Sequence, residues 1–525
     1  MMRSFPRARL AALASIFVLT FLSGGWLLRP RPSAEGGVYE QARLFEGVVG
    51  AINHHYIDSL GEGNLYQRAA HALVGSLHDP YAELLIRDSY REYQRQMAGT
   101  EVDLERGPSE SGWEGATAGN VIAPGDEVLS INGQNTRGWS SERLDEALRR
   151  TSGPTVTMLV KPRGAPSPVI RRFTRTEIHV PAASRGVLLA DGVGYIVLRR
   201  MSQGSAEELR AAIDTMVTQG MTSLVLDLRS NPGGLIREGV SVAGLFLDVG
   251  DTVARSVGRS AKGAKTYLAE APGDWGDLRL AVLVNRGTAS SAEVVAGALQ
   301  DHDRAVIVGT ATYGKGVLQT TYPIGADVAI KLTTARWFTP SGRTVQRPRA
   351  DTAGADGNRI PASRPRIFYS SRGRVVPDAS GILPDLLVRA LPRSEGERLL
   401  ATRLGDDMNR FRDVLAGYAA ELRADQVTQT DTAPMTPERR DTLFARMAEA
   451  GVHLDRATYD LAGGFVEEQL GNELARAFFG SDTVLRRKAR TDRQLQAALA
   501  VMRGADTQDG TLTAAMRMQL SGRIR

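Results

Sequence analysis

The chain has 525 residues, of which 42% are hydrophobic and 24% charged, an ordinary globular balance with room for two to four domains and a large core. Its net charge of +6 comes from scattered arginines, with no basic run interleaved with aromatics, which argues against nucleic-acid binding. With no cysteine, the chain can form no disulfide, no thiolate metal site and no cysteine nucleophile.

At the N-terminus, Arg3, Arg7 and Arg9 precede an apolar run of 19 residues, Leu10 to Leu28. That is long for a signal peptide and just long enough to span a bilayer. No A-x-A cleavage site follows, so residues 1–33 are expected to form an uncleaved signal-anchor, with a cleaved signal peptide as the alternative. Either way the bulk of the chain is expected to lie outside the cytoplasm. Residues 38–100 carry apolar residues at three- and four-residue spacing and are expected to be helical, broken at His78-Asp79-Pro80.

Residues 101–177 read as a small β-rich module. An alternating strand runs through Val128–Ile131, Asn132-Gly133 closes a hairpin, and Ser140 or Ser141 caps a short helix. Two more strands follow in "TVTMLVKPR" and "VIRRFTR". From 178 to 392 strands and helices alternate, the pattern of an α/β core. "SLVLDLR" and "RLAVLVN" are apolar runs suited to strands buried on both faces. Residues 393–525 are mostly helix formers, with a polar break at Val427–Pro437.

The chemistry gathers around "NRGTASSAEVVAGALQD", Asn285 to Asp301. Ser290 followed by Glu293 is S-x-x-E, a capping box that opens a helix. A serine there is also a candidate nucleophile, but only if a base takes its proton. Of seven histidines the nearest, His302, lies roughly 18 Å further along the same helix, out of reach. Lys315, between Gly314 and Gly316 in "GTATYGKGVLQT", is the alternative base. Burial would favour its neutral form, whereas a solvated loop lysine would stay charged. The flanking glycines would let the backbone approach the serine helix. Gln319 shares a strand face with Lys315 and could hold the amine. Gly309–Lys315 also fits G-x-x-x-x-G-K, but Gly316 replaces the metal-binding hydroxyl and a strand follows, so a phosphate loop is rejected. The N–H of Ser291, at the helix N-terminus, and an amide of the Gly233-Gly234 turn could stabilise an oxyanion.

Together these segments resemble the C-terminal processing peptidases, or tail-specific proteases, a Ser-Lys serine peptidase family. The resemblance rests on "LVLDLRSNPGG", "VNRGTASSAEVVAGALQD", "GTATYGKGVLQT" and "WFTPSGRTVQ", which occur in the family's order. "SLHDPYAELL", "VGYIVLRRM" and "SGILPDLLV" add to it, so it covers roughly residues 40 to 390. It implies an α/β peptidase core of crotonase/ClpP-like type (178–392) and an inserted PDZ-like domain (101–177) matched by "GNVIAPGDEVLSING". A helical N-terminal region (38–100) and a helical C-terminal region (393–525) flank them. Between Gly99 and Gly119 the segment that would carry the family's carboxylate-binding loop is short, so the PDZ-like domain is expected to be trimmed.

Carried over by position, the nucleophile falls on Ser290, the base on Lys315 and its partner on Gln319. The oxyanion donors fall on the amides of Ser291 and of Gly233 and Gly234, and Asp301 receives a supporting structural role. The resemblance implies an exported serine endopeptidase cleaving protein substrates, near their C-termini, on the periplasmic side of the inner membrane in the cell envelope. No cofactor and no metal are expected. Partners would be protein or peptide substrates, the membrane through the N-terminal segment, and an adaptor or a second copy through the helical ends. The rival readings are a silent PDZ-like scaffold and an acyl-CoA enzyme of the crotonase type. Proteolysis without thioesterase activity separates both from the peptidase.

Overall fold

The computed structural model describes residues 35–106, 126–137, 139, 141–150, 153–162, 165–271, 273–347, 367–377, 380–424 and 436–522. The expected signal-anchor and the segment 107–125, where the PDZ carboxylate loop would lie, fall outside these. Among the described residues no helix is long and apolar enough to cross a membrane.

The chain divides into two compact units, 1–84 and 85–525. In the first, helices α1 (Glu35–His55) and α2 (Glu62–Gly75) meet through Phe45 and Tyr66, whose rings are tilted with centroids 6.2 Å apart. Val49, Leu65 and Val74 are buried, but Val38, Tyr39, Leu44 and Leu73 remain exposed. The helical expectation for 38–100 fails at Glu83–Ile86, a strand that follows the Pro80 break.

The second unit opens with α3 (Asp88–Ala98), stopped by Gly99 in the left-handed conformation, φ 73°. The small module then forms an antiparallel sheet of β1 (Thr100–Arg106), β2 (Glu127–Ile131), β3 (Gln134–Asn135), β4 (Thr155–Lys161) and β5 (Val169–His179). Its order is β1-β5-β4-β2-β3. Alternation places Val156, Met158 and Val160 on one face with Ile131 and Phe173. Leu144 and Leu148 of α4 (Ser141–Arg150) cover them. Strand β1 was not expected in the acidic "TEVDLER", yet it pairs with β5 over seven residues. Backbone pairing, which is blind to side-chain polarity, overrides the poor strand composition.

The core sheet contains β6 (Val187–Leu188), β7 (Val193–Val197), β8 (Ser223–Asp227), β11 (Arg279–Val284), β12 (Val306–Gly309) and β17 (Leu386–Leu387), in the order β17-β12-β11-β8-β7-β6. All neighbours are parallel except β6 and β7. Residue parity divides its two faces. Leu224, Leu226, Leu280, Val282 and Ile307 pack with α5 (Ser205–Thr218), α6 (Ile236–Gly244) and α7 (Ser291–Asp301). Val225, Ala281, Leu283, Val306 and Val308 face the other way. Helices cover both faces, as parallel sheets require. Each fully buried Leu or Val contributes about 1.5–3 kcal/mol.

A second, antiparallel sheet contains β9 (Thr252–Gly258), β10 (Lys265–Leu268), β13 (Val317–Gly325) and β14 (Val328–Phe338). The hairpin β15 (Ile367–Tyr369) and β16 (Val375–Pro377) lies between β14 and β17 in the chain.

The C-terminal helices do not form one region. α8 (Glu395–Leu404), α9 (Met408–Ala424), α10 (Pro437–Glu449), α11 (Arg456–Leu461) and α12 (Gly463–Phe479) enclose their own core around Leu400, Phe411, Leu443, Tyr459 and Leu470. After α13 (Ser481–Thr491), α14 (Arg493–Arg503) and α15 (Gln508–Ser521) return to the core sheet. Leu495, Ala498, Leu499, Met502, Leu512 and Ala515 close the face that Val225 and Leu283 present.

Candidate active site

Every residue of α7 is buried, so the helix is enclosed on all sides and its N-terminus is fixed by packing. Ser290 stands at the N-cap with φ 55° and ψ −120°. A non-glycine residue in that region is strained by about 1–3 kcal/mol, and such strain gathers at functional turns. The two serines differ sharply. Ser290 is partly exposed, whereas Ser291 is 1% exposed with its hydroxyl buried and unpartnered. Only the first can present an oxygen to a substrate.

Glu293 carries out half of the predicted capping box, its Oε2 accepting from the Ser290 N–H at 2.9 Å. It then does something no local pattern announces. The same Oε2 accepts from the Lys315 N–H at 2.9 Å. Oε1 accepts from the Gly314 N–H at 2.7 Å and the Thr312 hydroxyl at 2.5 Å. Two amides sharing one oxygen place the backbone nitrogens of Ser290 and Lys315 within about 6 Å of each other. Residues 25 positions apart in the chain are thus tied through one carboxylate. Burial raises the Glu293 carboxyl above its ordinary value, with the four hydrogen bonds pulling the other way.

Lys315 Nζ donates to Gln319 Oε1 at 2.7 Å. A register shift between Leu318 and Gln319 adjusts the strand just where that contact is made. The buried Trp337 indole N–H donates to the Lys315 carbonyl at 2.9 Å and fixes the turn from the second sheet. The flanking glycines serve a different neighbour from the one expected. Gly314 has φ 90°, with its open side against Val345 O and Arg347, and a Cβ on Gly316 would meet the Gln346 amide nitrogen at 2.7 Å. Of the two glycines, only Gly314 reaches the serine helix through its amide.

The Gly233-Gly234 turn lies directly against the serine. A Cβ on Gly233, φ 88°, would meet Ala289 O at 2.7 Å and both Ser290 Cβ and Ser291 N at 2.9 Å. The two glycines are not equivalent as donors. Gly233 N–H donates to Asn231 Oδ1 at 2.9 Å, closing an Asx turn. Among the described residues, Gly234 N–H and Ser291 N–H meet no acceptor. Asn231 is itself anchored, its Nδ2 donating to Leu198 O at 2.9 Å.

Asp301 sits at the opposite end of α7, roughly 16 Å from Ser290. Its carboxylate pairs with Arg343 at 2.7 Å, both side chains being 1% exposed, and accepts from the Ser341 N–H at 3.0 Å. It orders the "TPSGR" segment and lies away from the serine. Among the described residues no cluster of acidic and histidine side chains could hold a metal. Sequence reasoning missed the second half of Glu293's role, Thr312 and Asn231. The S-x-x-E pattern drew attention to Glu293, but nothing local pointed to its partners 19 to 22 residues away.

The architecture is that of a peptidase core carrying a PDZ domain. The profile of peptidase family S41 matches residues 192–352, and that of the PDZ domain matches residues 110–161. The "Carboxy-terminal-processing protease" of Bartonella bacilliformis is 31% identical over 327 residues, covering 59% of this chain and 74% of that protein. The "Probable CtpA-like serine protease" of Staphylococcus haemolyticus is 29% identical over 316 residues, covering 58% of this chain and 63% of that one. Against the latter, the chain therefore spans just under two thirds of the relative's length. Among solved structures, the photosystem II D1 C-terminal processing protease is 24% identical, with a TM-score of 0.33 over 57% of this chain and 83% of that chain. The chain belongs to the carboxy-terminal-processing proteases of family S41, which are serine-type peptidases.

Proposed function

We propose that the chain is an exported endopeptidase that cleaves protein substrates near their C-termini through Ser290 and Lys315. The observation that carries the reading is the shared Glu293 oxygen, which tethers the backbone of the one residue to that of the other. Neutral Lys315, held by Gln319, takes the proton from Ser290 Oγ as the oxygen attacks the peptide carbonyl. The oxyanion is met by the N–H of Ser291 and by an amide of the glycine turn. Gly234 N–H is open for this, while Gly233 N–H must first leave Asn231. The lysine ammonium gives its proton to the leaving amine. Water then loses a proton to Lys315, attacks the acyl-enzyme and frees the product acid as Ser290 Oγ regains its proton.

The basic N-terminus and the apolar run Leu10–Leu28 support placement in the cell envelope, with the peptidase on the periplasmic side of the inner membrane. Apolar side chains exposed on α1 and α2 support an adaptor or a second copy as a further partner. The test is hydrolysis of an unstructured protein by the full chain. Ser290→Ala and Lys315→Ala are each expected to lower kcat by about 10³–10⁶-fold with an unchanged circular dichroism spectrum. Wild-type rates in either variant would refute the pair. Thioester hydrolysis without proteolysis would favour the acyl-CoA reading, and absence of both activities in the native chain would favour a scaffold.

A further inference from the structure

The turn that carries the candidate oxyanion donors begins at Arg229, two residues beyond the end of β8. Its guanidinium is gripped from two sides. Asp227, on the same strand end, accepts from Nε at 2.9 and 3.0 Å and from an Nη at 2.6 Å, and also accepts from the Arg229 backbone N–H at 2.9 Å. From the far end of the chain, Asp492 Oδ2 lies 2.6 Å from the guanidinium and Gln494 Oε1 accepts at 3.0 Å. Tyr195 donates its hydroxyl to Asp227 at 2.7 Å, completing the cluster.

The C-terminal contribution is built rather than incidental. Asp492 spends its other oxygen, Oδ1, capping α14 through the N–H groups of Gln494 and Leu495 at 3.0 and 3.1 Å. Gln494 is 5% exposed and donates Nε2 to Val388 O at 2.8 Å. The helix behind them is seated on the sheet by Leu495, Leu499 and Met502, and Arg279 donates to the Met502 carbonyl at 2.9 Å. Downstream of Arg229 the chain has little freedom. Ser230 is held at φ 59° with its N–H on Asn285 Oδ1 at 2.9 Å, Asn231 is anchored on Leu198, and Gly233 abuts Ser290. A tilt of the guanidinium therefore passes to the glycine amides within four or five residues.

We propose that Asp492 and Gln494 are positioning residues of the oxyanion turn, so that helix α14 and its N-cap, beyond the S41 match at 192–352, complete the peptidase site. The inference rests on the Ser290-Lys315 reading. Preorganised donors lose effect steeply with displacement, about a hundredfold for a misplacement near 1 Å.

The test uses the full chain. Asp492→Asn keeps an N-cap oxygen and removes the charge, and Gln494→Met removes the acceptor of Arg229 together with the donor to Val388 O and leaves the N-cap intact, so it serves if the first variant folds poorly. Each is expected to lower kcat on a peptide substrate 10- to 100-fold with KM unchanged, and Asp492→Glu to recover part of the loss. Affinity for a peptide boronate, which needs the oxyanion donors, should fall by the same factor. Binding of the uncleaved peptide in a Ser290→Ala background should not change. Wild-type kcat in folded Asp492→Asn and Gln494→Met, or equal losses of boronate and plain peptide affinity, would overturn the proposal. Failure of the underlying reading is a different result, namely a Ser290→Ala chain that still cleaves.

Discussion

The two ends of helix α7 each bury a carboxylate and solve the problem differently. Glu293, in the first turn, is met by three backbone amides and a hydroxyl, all neutral donors, and sits at the favourable end of the helix dipole. Asp301, in the last turn, faces the unfavourable end and is met by a full charge, the buried Arg343 guanidinium. The contrast separates a carboxylate that arranges chemistry from one that holds the fold. Neutral donors let Glu293 organise the serine turn and the lysine turn without bringing a second cation near Lys315. A guanidinium suits Asp301, where only structure is at stake.

The comparison breaks most severely if Glu293 proves dispensable. Glu293→Ala should lower kcat by about 10²–10³-fold, as expected when a misplaced nucleophile and base lose alignment, with labelling by a fluorophosphonate slowed in parallel. Near-normal labelling would show that the tether does not set the geometry. Gly233→Ala comes next. Its Cβ would strike backbone atoms at 2.7 Å in a φ that side chains avoid, so activity should fall at least about tenfold while Gly204→Ala, in open space at a similar φ, leaves kcat unchanged. Steady-state kinetics on both variants decide this.

Asp301→Ala sharpens the other side. Leaving Arg343 buried and unpaired should cost about 3–5 kcal/mol in chemical denaturation, while kcat per folded molecule stays within twofold. A selective loss of kcat would give Asp301 a part in the chemistry. The smallest expected effect is on pH. Because the Glu293 carboxyl is raised above 4.5 in the fold, its protonated form is the one that folding favours. Its stabilising contribution is complete below that value and is lost as pH rises through the folded-state value. The stability deficit of Glu293→Gln should accordingly be larger at pH 4 than at pH 8, read from thermal melts. The reverse order would contradict the burial argument.

Much of this protein was determined by sequence alone because the relevant signals are local. The apolar runs "SLVLDLR" and "RLAVLVN" assigned strands buried on both faces, and S-x-x-E opened a helix at Ser290. Four ordered motifs pointed to a serine, a lysine and a glutamine in one family. Tertiary structure decided the rest. The adjacent serines differ in burial, with Ser291 sealed under α6, where Gly239 packs on it, and Ser290 partly exposed. Glu293's second and third partners come from another turn, and the hydrogen bond that occupies Gly233 depends on a side chain two residues back. Helix propensity made 393–525 look uniform, whereas packing divides it into a self-contained bundle and two helices that close the core sheet. Periodicity tells a residue which way to face along its own element. Which distant element comes to meet that face is settled only when the whole chain competes for the same buried surface.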